Sequence, residues 1–269
     1  MRISIMSHNE EKFVKKTSLV ILAVFSIFII WLVGFVAIDN PLLLPSPWEA
    51  LAAFFGLFAT KASLQAIGLT ALRLIIALLT AFVLGMFFGI LAGFKPRFAV
   101  YFQPFATILR TVPVISVIVI ILILFGFKMA PYIITFLMIF PLVYQAFYEG
   151  ITNLDPELVD VYKLEDDNFW SGLWHCYLPL MRHQIETVLF QSAGLGIKVL
   201  VMAEYLSQTK NSIGNAIYNA KINLQYDQVF AWTILLILLA VILEVLIGKF
   251  KKQKEANQQP ISKRKSISD

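Results

Sequence analysis

The run TALRLIIALLTAFVLGMFFGILAG at residues 70–93 decides the class of this protein. From Leu74 onward it carries no charged residue. A helix that rises ~1.5 Å per residue needs about 20 such residues to cross ~30 Å of hydrocarbon. The whole chain has the same character, because 59% of its 269 residues are hydrophobic and only 14% are charged. The sequence therefore predicts an all-α integral membrane protein.

Six apolar segments are long enough to be transmembrane helices. They are residues 17–38, 64–94, 98–127, 129–148, 186–203 and 229–248. Between the first two, the segment NPLLLPSPWEALAAFFGLF predicts a proline-rich loop and then an amphipathic helix at the membrane interface. We therefore divide the chain into a basic N-terminal segment, 1–16, a transmembrane domain, 17–248, and a basic tail, 249–269, which we expect to be disordered.

The basic residues orient these segments. They cluster before the first segment and after the last, at Lys12, Lys15, Lys16, Lys249, Lys251, Lys252 and Lys254. Lys95 and Arg97 follow the second segment, which with six spans puts them on the same side as both termini. Because cytoplasmic flanks are rich in Lys and Arg, we expect a multi-pass protein of the cell membrane with both termini cytoplasmic. The net charge of +5 then reflects membrane flanks rather than a nucleic-acid surface.

An acidic, aromatic stretch lies in the predicted cytoplasmic loop 151–182. It reads ELVDVYKLEDDNFWSGLWHCYLP, residues 157–179, and has five carboxylates against the single Lys163. Asp155 followed by Pro156 is a typical helix start, and Asn168 can cap a second helix. A helix pair lying on lipid headgroups remains an alternative, but it would normally offer Lys and Arg to anionic lipid. We therefore interpret this stretch as a surface that binds another protein.

Several segments together resemble a known family. They are LPSPWEAL (44–51), the opening run (70–93), ILRTVPVISVIVIILILFGF (108–127), the Leu178-Pro179 pair that ends the acidic stretch, and GLGIKVLVMAEYLSQTKNSIGNAIYNA (194–220). In order and spacing they are similar to binding-protein-dependent ABC importer permeases of the nitrate, sulfonate and taurine type. In the signature loop of that family, Asp160, Val161 and Tyr162 occupy the Glu-Ala-Ala positions. Asp166 occupies the Gly position, where it can still adopt a left-handed turn.

The resemblance implies six transmembrane helices in the type I ABC importer permease fold and a subunit that is not itself an enzyme. It also implies partners: a cytoplasmic ABC ATPase that carries ATP and Mg, an extracytoplasmic solute-binding protein, and a second permease subunit, expected to form a homodimer in membrane lipid. The solute would be small, such as a sulfonate, nitrate or a vitamin precursor. We expect no cofactor, no metal and no nucleic acid on this chain.

The same resemblance places the ATPase-coupling residues in the cytoplasmic loop. They are Leu158, Asp160, Val161, Tyr162, Asp166, Phe169, Trp170, Trp174, Leu178 and Pro179. The aromatic members would be the anchors of the interface, since aromatic side chains commonly dominate binding. The acids would fix its register.

Polar residues within the apolar segments indicate the translocation path, because charge is costly in hydrocarbon and tends to face a cavity. They are Arg110, Thr111, Pro113, Gln191, Ser192, Lys198 and Glu204. Pro113 is expected to interrupt the third helix. Pairing of Lys198 with Glu204 is an equally good interpretation of those two residues. Arg73 lies near one end of its segment, so we interpret it as a structural residue that reaches the interface.

Glycines at a spacing of four predict close helix packing. Gly85, Gly89 and Gly93 would form a smooth ridge for a neighbouring helix. Gly194-Leu195-Gly196 lies inside an apolar helix, so we interpret it in the same way rather than as a phosphate-binding loop. A secondary transporter would need paired broken helices in two halves, and a membrane enzyme would need clustered catalytic groups; the sequence shows neither.

Overall fold

The computed structural model describes residues 8–40, 43–157, 159–160 and 168–257, and within these ranges it contains helices and no β-strand. The first half of the chain forms α1 (His8–Ile38), α2 (Pro47–Leu57), α3 (Lys61–Phe94), α4 (Pro96–Thr111) and α5 (Val114–Thr152). The second half forms α6 (Phe169–Gly172), a π-helical turn (Leu173–Tyr177), α7 (Leu178–Leu180), α8 (Arg182–Ser207), α9 (Ile213–Ile222) and α10 (Tyr226–Asn257).

The predicted all-α membrane fold is confirmed. Among the described residues, four helical stretches are long and apolar enough to cross a membrane: α3, α5, α8 and Tyr226–Leu243 of α10. A shorter apolar stretch, Leu22–Ile38, lies within α1. The predicted segments 64–94, 186–203 and 229–248 lie inside α3, α8 and α10. Segment 17–38 lies inside α1.

The helical backbone is interrupted twice within the third and fourth predicted segments. The first break lies between α4 and α5, where Val112 and Pro113 adopt extended backbone, as the proline predicts. The second lies inside α5 at Gly126, whose φ of 72° and ψ of 172° are not helical. Ile118 and Ile134 belong to one core cluster, although a straight helix would separate them by about 24 Å. The chain therefore folds back at Gly126, close to the predicted boundary between residues 127 and 129.

The main core lies between α3 and the part of α5 that follows Gly126. A Cβ atom added to Gly85 would lie 2.7 Å from Cβ of Val143, and one added to Gly89 would lie 2.6 Å from the carbonyl oxygen of Tyr144. At Gly93 the added atom would lie 2.7 Å from Cβ of Ile151. All three glycines thus face α5 within the same chain, and their missing side chains let the two backbones approach.

The predicted interfacial helix is α2, and its start is fixed by a capping box. The Ser46 hydroxyl accepts from the Glu49 amide at 3.2 Å, and the Glu49 carboxylate accepts from the Ser46 amide at 2.9 Å. Nearby, Trp31 of α1 stacks on Phe230 of α10 with ring centroids 5.1 Å apart. Its Nε1 donates to the carbonyl of Pro45 at 3.2 Å. Trp31 therefore ties α1 to the rest of the molecule.

Two predicted boundaries differ from the structure. Helix α1 already begins at His8, within segment 1–16, and α10 continues to Asn257, within the tail 249–269. Residues 249–257 of that tail continue the last helix, and the expected disorder of the tail stays a prediction. Good helix formers such as Lys, Gln, Glu and Ala explain the extension. Residues 258–269 lie outside the described part of the chain.

The glycine contacts can be tested with matched substitutions in one helix. We expect Gly89→Ala to destabilise the protein by roughly 1–3 kcal/mol, because its methyl group meets the Tyr144 backbone, and Gly89→Leu to weaken assembly further. Gly68→Ala is the control, since no atom lies within 4 Å of a Cβ at that position. The measurement is thermal unfolding of the detergent-solubilised protein by size-exclusion chromatography. Equal melting temperatures for Gly89→Ala and Gly68→Ala would contradict the packing role.

Candidate functional site

The structure confirms both predicted helix starts in the acidic, aromatic stretch. The Asp155 carboxylate accepts from the Glu157 amide at 3.0 Å, as an N-cap does. The Asn168 side chain accepts from the Trp170 amide at 3.1 Å and caps α6. Of the predicted coupling residues, Leu158, Val161, Tyr162 and Asp166 lie outside the described residues. Asp160 is described and its side chain is exposed.

Two aromatic residues of this stretch contact α3, and two others are more exposed. Phe169 and Tyr177 both contact the ring of Phe94, with centroids 5.1 Å and 4.8 Å away, so α6 and the π-helical turn rest on the end of α3. Trp170 and Trp174 are instead 66% and 62% exposed. They form the free aromatic surface that the sequence predicts for binding a partner.

The remaining residues predicted for coupling are Leu178 and Pro179, at the end of the stretch. Leu178 packs beside the main α3–α5 cluster, whereas Pro179 is exposed. Between them and the tryptophans lies Cys176, which is buried in the π-helical turn. Burial raises the pKa of the Cys176 thiol, because the thiolate is poorly solvated there. Cys176 is therefore a poor nucleophile at neutral pH.

One face of α8 is exposed and carries polar side chains, with the apolar Leu195 and Met202 among them. Gln184, Thr187, Gln191 and Lys198 are all exposed, and their spacing places them along one stripe of the helix. A neighbouring side of α8 packs against α5 through Val188 and Val199, among others. Two predicted path residues, Gln191 and Lys198, thus lie on an open polar surface. We call Gln184, Thr187, Gln191 and Lys198 the polar stripe.

Ser192, also assigned to the path, lies away from this surface. It is only 2% exposed, and its hydroxyl makes no hydrogen bond with the described residues. It is one of two such buried hydroxyls in the described part of the chain, and the other is Thr135 of α5. Ser192 therefore packs inside the protein.

The break between α4 and α5 carries the other predicted path residues. Arg110, Thr111 and Pro113 are all exposed. The Thr111 hydroxyl donates to the carbonyl of Thr107 at 3.0 Å, so its bond lies within its own helix. Helix α4 has 16 residues, which corresponds to about 24 Å, so the break lies well inside the bilayer if α4 begins at the membrane surface.

Glu204 has a different environment from the other path candidates. It is completely buried, and its carboxylate forms an ion pair with Arg73 and accepts a hydrogen bond from Arg73 Nη1 at 2.9 Å. The Thr70 hydroxyl donates to the same carboxylate at 2.9 Å, and the Gly214 amide donates at 3.3 Å. We call Thr70, Arg73 and Glu204 the buried network. The structure places Glu204 in this network rather than on an open surface.

Two interpretations from the sequence are corrected by the buried network. Lys198 is not the partner of Glu204, because Arg73 occupies that position. Arg73 is structural, as expected, but it is only 8% exposed and pairs with Glu204 instead of reaching solvent. Sequence reasoning missed the pair because its members are separated by 131 positions. The available signal was one arginine and one glutamate, each at the same expected end of its apolar segment.

Comparisons with known proteins agree with the resemblance. Residues 81–254 match the family described as binding-protein-dependent transport system inner membrane component. The chain is 27% identical over 212 residues to the putative aliphatic sulfonates transport permease protein SsuC of Bacillus subtilis, covering 78% of this chain and 76% of that protein. It is 24% identical over 221 residues to the taurine transport system permease protein TauC of Escherichia coli, covering 80% of each.

The buried network predicts a non-additive effect on stability. Glu204→Ala should destabilise the protein by about 3–5 kcal/mol, because it leaves the Arg73 charge buried without its partner. The double variant Arg73→Met, Glu204→Met should be more stable than Glu204→Ala, since no charge is then left in the core. Thermal unfolding in detergent of Arg73→Met, Glu204→Met and their double variant closes the cycle and gives the coupling energy. Additive losses would show that the two side chains do not depend on each other.

Proposed function

This chain belongs to the binding-protein-dependent transport system inner membrane components, and on that premise we propose that two copies of it enclose the path of an importer for a small organic anion. As a member of this family, it is the non-catalytic membrane subunit of an ABC importer with the type I permease fold. The family implies a partner ATPase and an extracytoplasmic binding protein. ATP and Mg would be bound by that ATPase.

The observation that carries the proposal is the polar stripe of α8. Hydrocarbon cannot satisfy Gln191 and Lys198, which lie within the predicted segment 186–203, and a charge facing lipid at membrane depth costs several kcal/mol, roughly 3 by insertion scales. The stripe must therefore face protein or water. Among the described residues no helix of the same chain covers it, since all four side chains are exposed. A second permease subunit, most simply another copy, would enclose the stripe and a water-filled path beside it.

The break between α4 and α5 supports the same arrangement. Non-helical backbone within a bilayer is stable only where protein or a water-filled cavity satisfies its polar groups. Arg110 is exposed beside this break. We assign Arg110, Thr111 and Pro113 to the path together with Gln191 and Lys198. Ser192 and Glu204 are buried, so we assign them structural roles.

The identity of the solute follows from charge and from the relatives. Arg110 and Lys198 place positive charge on the proposed path, and in surroundings of low dielectric such groups favour an anion. The two relatives are named for transport of aliphatic sulfonates and taurine, both of which carry a sulfonate group. A small sulfonate is therefore the solute that we propose.

Coupling to the ATPase is assigned to the exposed tryptophans. Trp170 and Trp174 would bury their indole rings in the ATPase, while Phe169 and Tyr177 connect them to α3 through Phe94. The acids of residues 157–167 would lie at the rim of that interface and fix its register. This assignment requires the loop and both termini to be cytoplasmic. Labelling of a Glu157→Cys variant by an impermeant thiol reagent outside intact cells would contradict that orientation.

The experiment that tests the proposed function is reconstitution. The permease, expressed with its ATPase, should co-purify with it and should hydrolyse ATP faster in proteoliposomes when a sulfonate-loaded binding protein is added. Failure of the wild-type chain to retain any ATPase would contradict the assignment of the tryptophans. Stimulation only by a binding protein loaded with a solute that carries no anionic group would contradict the assignment of an anionic group to the solute.

Removing one tryptophan should weaken the contact with the ATPase. We expect Trp170→Ala or Trp174→Ala to cost about 2 kcal/mol of binding, or roughly 30-fold in the dissociation constant, because exposed aromatic anchors concentrate interface energy. Trp48→Ala is the matched control, since Trp48 is 69% exposed on α2, outside the loop. The measurement is titration of the ATPase onto the permease in nanodiscs. The same affinity for all three variants would exclude the tryptophans as anchors.

Removing a charge from the path should reduce transport without loss of the complex. Lys198→Gln should raise the KM for a sulfonate by about tenfold, because a charge-assisted hydrogen bond contributes roughly 1.5–3 kcal/mol. Lys198→Arg keeps the charge and should retain most of the transport. Uptake of labelled solute into proteoliposomes measures the difference, and ATPase binding is the control. Wild-type KM values in both Lys198→Gln and Arg110→Gln would remove these residues from the path.

A further inference from the structure

The turn between α8 and α9 has an unusual backbone. Gln208 has a φ of 48° and Asn211 a φ of 53°, so two residues with side chains adopt the left-handed conformation within four positions. Each such residue costs of order 1 kcal/mol and persists only where the surroundings determine the conformation. Ser207 and Ser212 at the ends of this turn are buried, whereas Gln208, Lys210 and Asn211 are exposed. The turn therefore presents polar side chains on a fixed backbone.

The buried network makes hydrogen bonds to the backbone of this turn. Arg73 donates to two carbonyl groups of the turn, those of Lys210 and Asn211, each at 3.3 Å. The Thr70 hydroxyl accepts from the Ile213 amide at 3.0 Å, and Glu204 accepts from the Gly214 amide at 3.3 Å. These amides belong to the first turn of α9 and have no partner within their own helix. The network thus satisfies carbonyl groups and amides on both sides of Ser212.

A second contact joins this turn to the reversal inside α5. The Thr209 hydroxyl donates to the carbonyl of Phe127 at 2.9 Å, directly after the break at Gly126. Thr209 also shares a hydrogen bond with Ser207 at 2.6 Å, and the Ser212 hydroxyl donates to the Thr209 carbonyl. Residues 124–130 and 207–214 therefore form one unit, which we call the double turn.

The exposed charge of the double turn is entirely positive. Both of its ranges are described in full, and their exposed charged side chains are Lys128 and Lys210. Glu204, the nearest acid along the chain, is buried and neutralised by Arg73. The bond between Thr209 and Phe127 brings the backbones of the two lysines together, because each lysine directly follows a bonded residue. The double turn is therefore a small basic surface of defined shape.

We propose that the double turn is a preformed docking element for an acidic surface on the extracytoplasmic binding protein, and that Arg73 and Glu204 are its positioning residues. This inference rests on the proposed function, which supplies such a partner. With the loop 151–182 cytoplasmic, α8 crosses the membrane and its end at Ser207 lies on the extracytoplasmic side. Attraction to anionic lipid headgroups is the competing explanation. It requires only long flexible lysines, which reach headgroups without any fixed turn. A strained turn held over a buried ion pair instead favours recognition of one shape.

The first test measures whether the network holds the turn. In the complete permease, the amides of Ile213 and Gly214 should exchange hydrogen slowly, although first-turn amides of a helix usually exchange fast. Thr70→Val should accelerate exchange at Ile213 by about tenfold, because it removes the acceptor of that amide. Thr80→Val in the same helix is the control, since its hydroxyl bonds only carbonyl groups of α3. Fast exchange in the wild type, or equal exchange in both variants, would overturn the positioning role.

The second test measures docking in the reconstituted transporter with its ATPase. The probe is the solute-loaded binding protein that stimulates the wild-type complex. The double variant Lys128→Glu, Lys210→Glu should raise the half-saturating concentration of this probe by about tenfold, while the rate at saturation is retained. Thr209→Val should raise it less, and Thr209→Ser should restore the wild-type value. Lys61→Glu controls for a charge reversal at another exposed lysine outside the double turn.

The outcomes separate the alternatives. A rise in half-saturation that persists in nanodiscs of phosphatidylcholine alone supports docking to protein, whereas dependence on anionic lipid would overturn it in favour of headgroups. If the variants lose saturated rate and assembled complex to the same extent, the double turn has only a structural role. That result would also overturn the docking proposal. If the binding protein stimulates the wild type and the variants have the same half-saturating concentration, this inference alone is overturned. Absence of stimulation in the wild type would overturn the proposed function as well.

Discussion

The close contact between α3 and α5 is the constraint on which the rest of the structure depends. In a bilayer the lipid tails are as apolar as the helices, so burial of apolar area alone does not hold two helices together. Close packing holds them instead. The α3 backbone approaches α5 at three glycines that have no side chain to keep it away. They are Gly85, Gly89 and Gly93, which face Val143, Tyr144 and Ile151. Dispersion contacts at that distance replace the hydrophobic effect. The long helix α3 thereby becomes a fixed axis whose two ends can support other elements.

Each end of that axis carries one of the functional regions. At one end Phe94 lies between Phe169 and Tyr177, so the segment with the exposed tryptophans rests on α3. Toward the other end Arg73 pairs with Glu204 and donates to the turn between α8 and α9. The two regions are therefore connected through one packed helix. This is a physical connection, and a coupled motion would additionally require two distinct arrangements of the elements at its ends.

The sequence predicted those features that local chemistry determines. Segment length predicted the membrane helices, Pro113 predicted the first break, and Asp155 and Asn168 predicted two helix starts. It could not predict pairings between distant residues, because the hydrophobic pattern places a polar residue at a depth but not beside a given partner. Lys198 lies six positions before Glu204, about 120° around the same helix, so helical spacing already disfavours that pair, but it does not identify Arg73 as the partner. Gln208 and Asn211 adopt left-handed backbone although neither is glycine, so no glycine in the sequence indicated this turn.

Burial then decides which intramembrane charges are structural. A buried pair such as Arg73 and Glu204 is neutral overall and contributes little field beyond its own contacts. Arg110 and Lys198 differ, because they are exposed and have no ion-pair partner among the described residues. If a second subunit encloses these surfaces as proposed, both charges would act across a water-filled cavity with walls of low dielectric, with no acid of the described chain paired with them. An uncompensated positive charge in such a cavity favours an anion and repels a cation, which is why the proposed solute carries a sulfonate group.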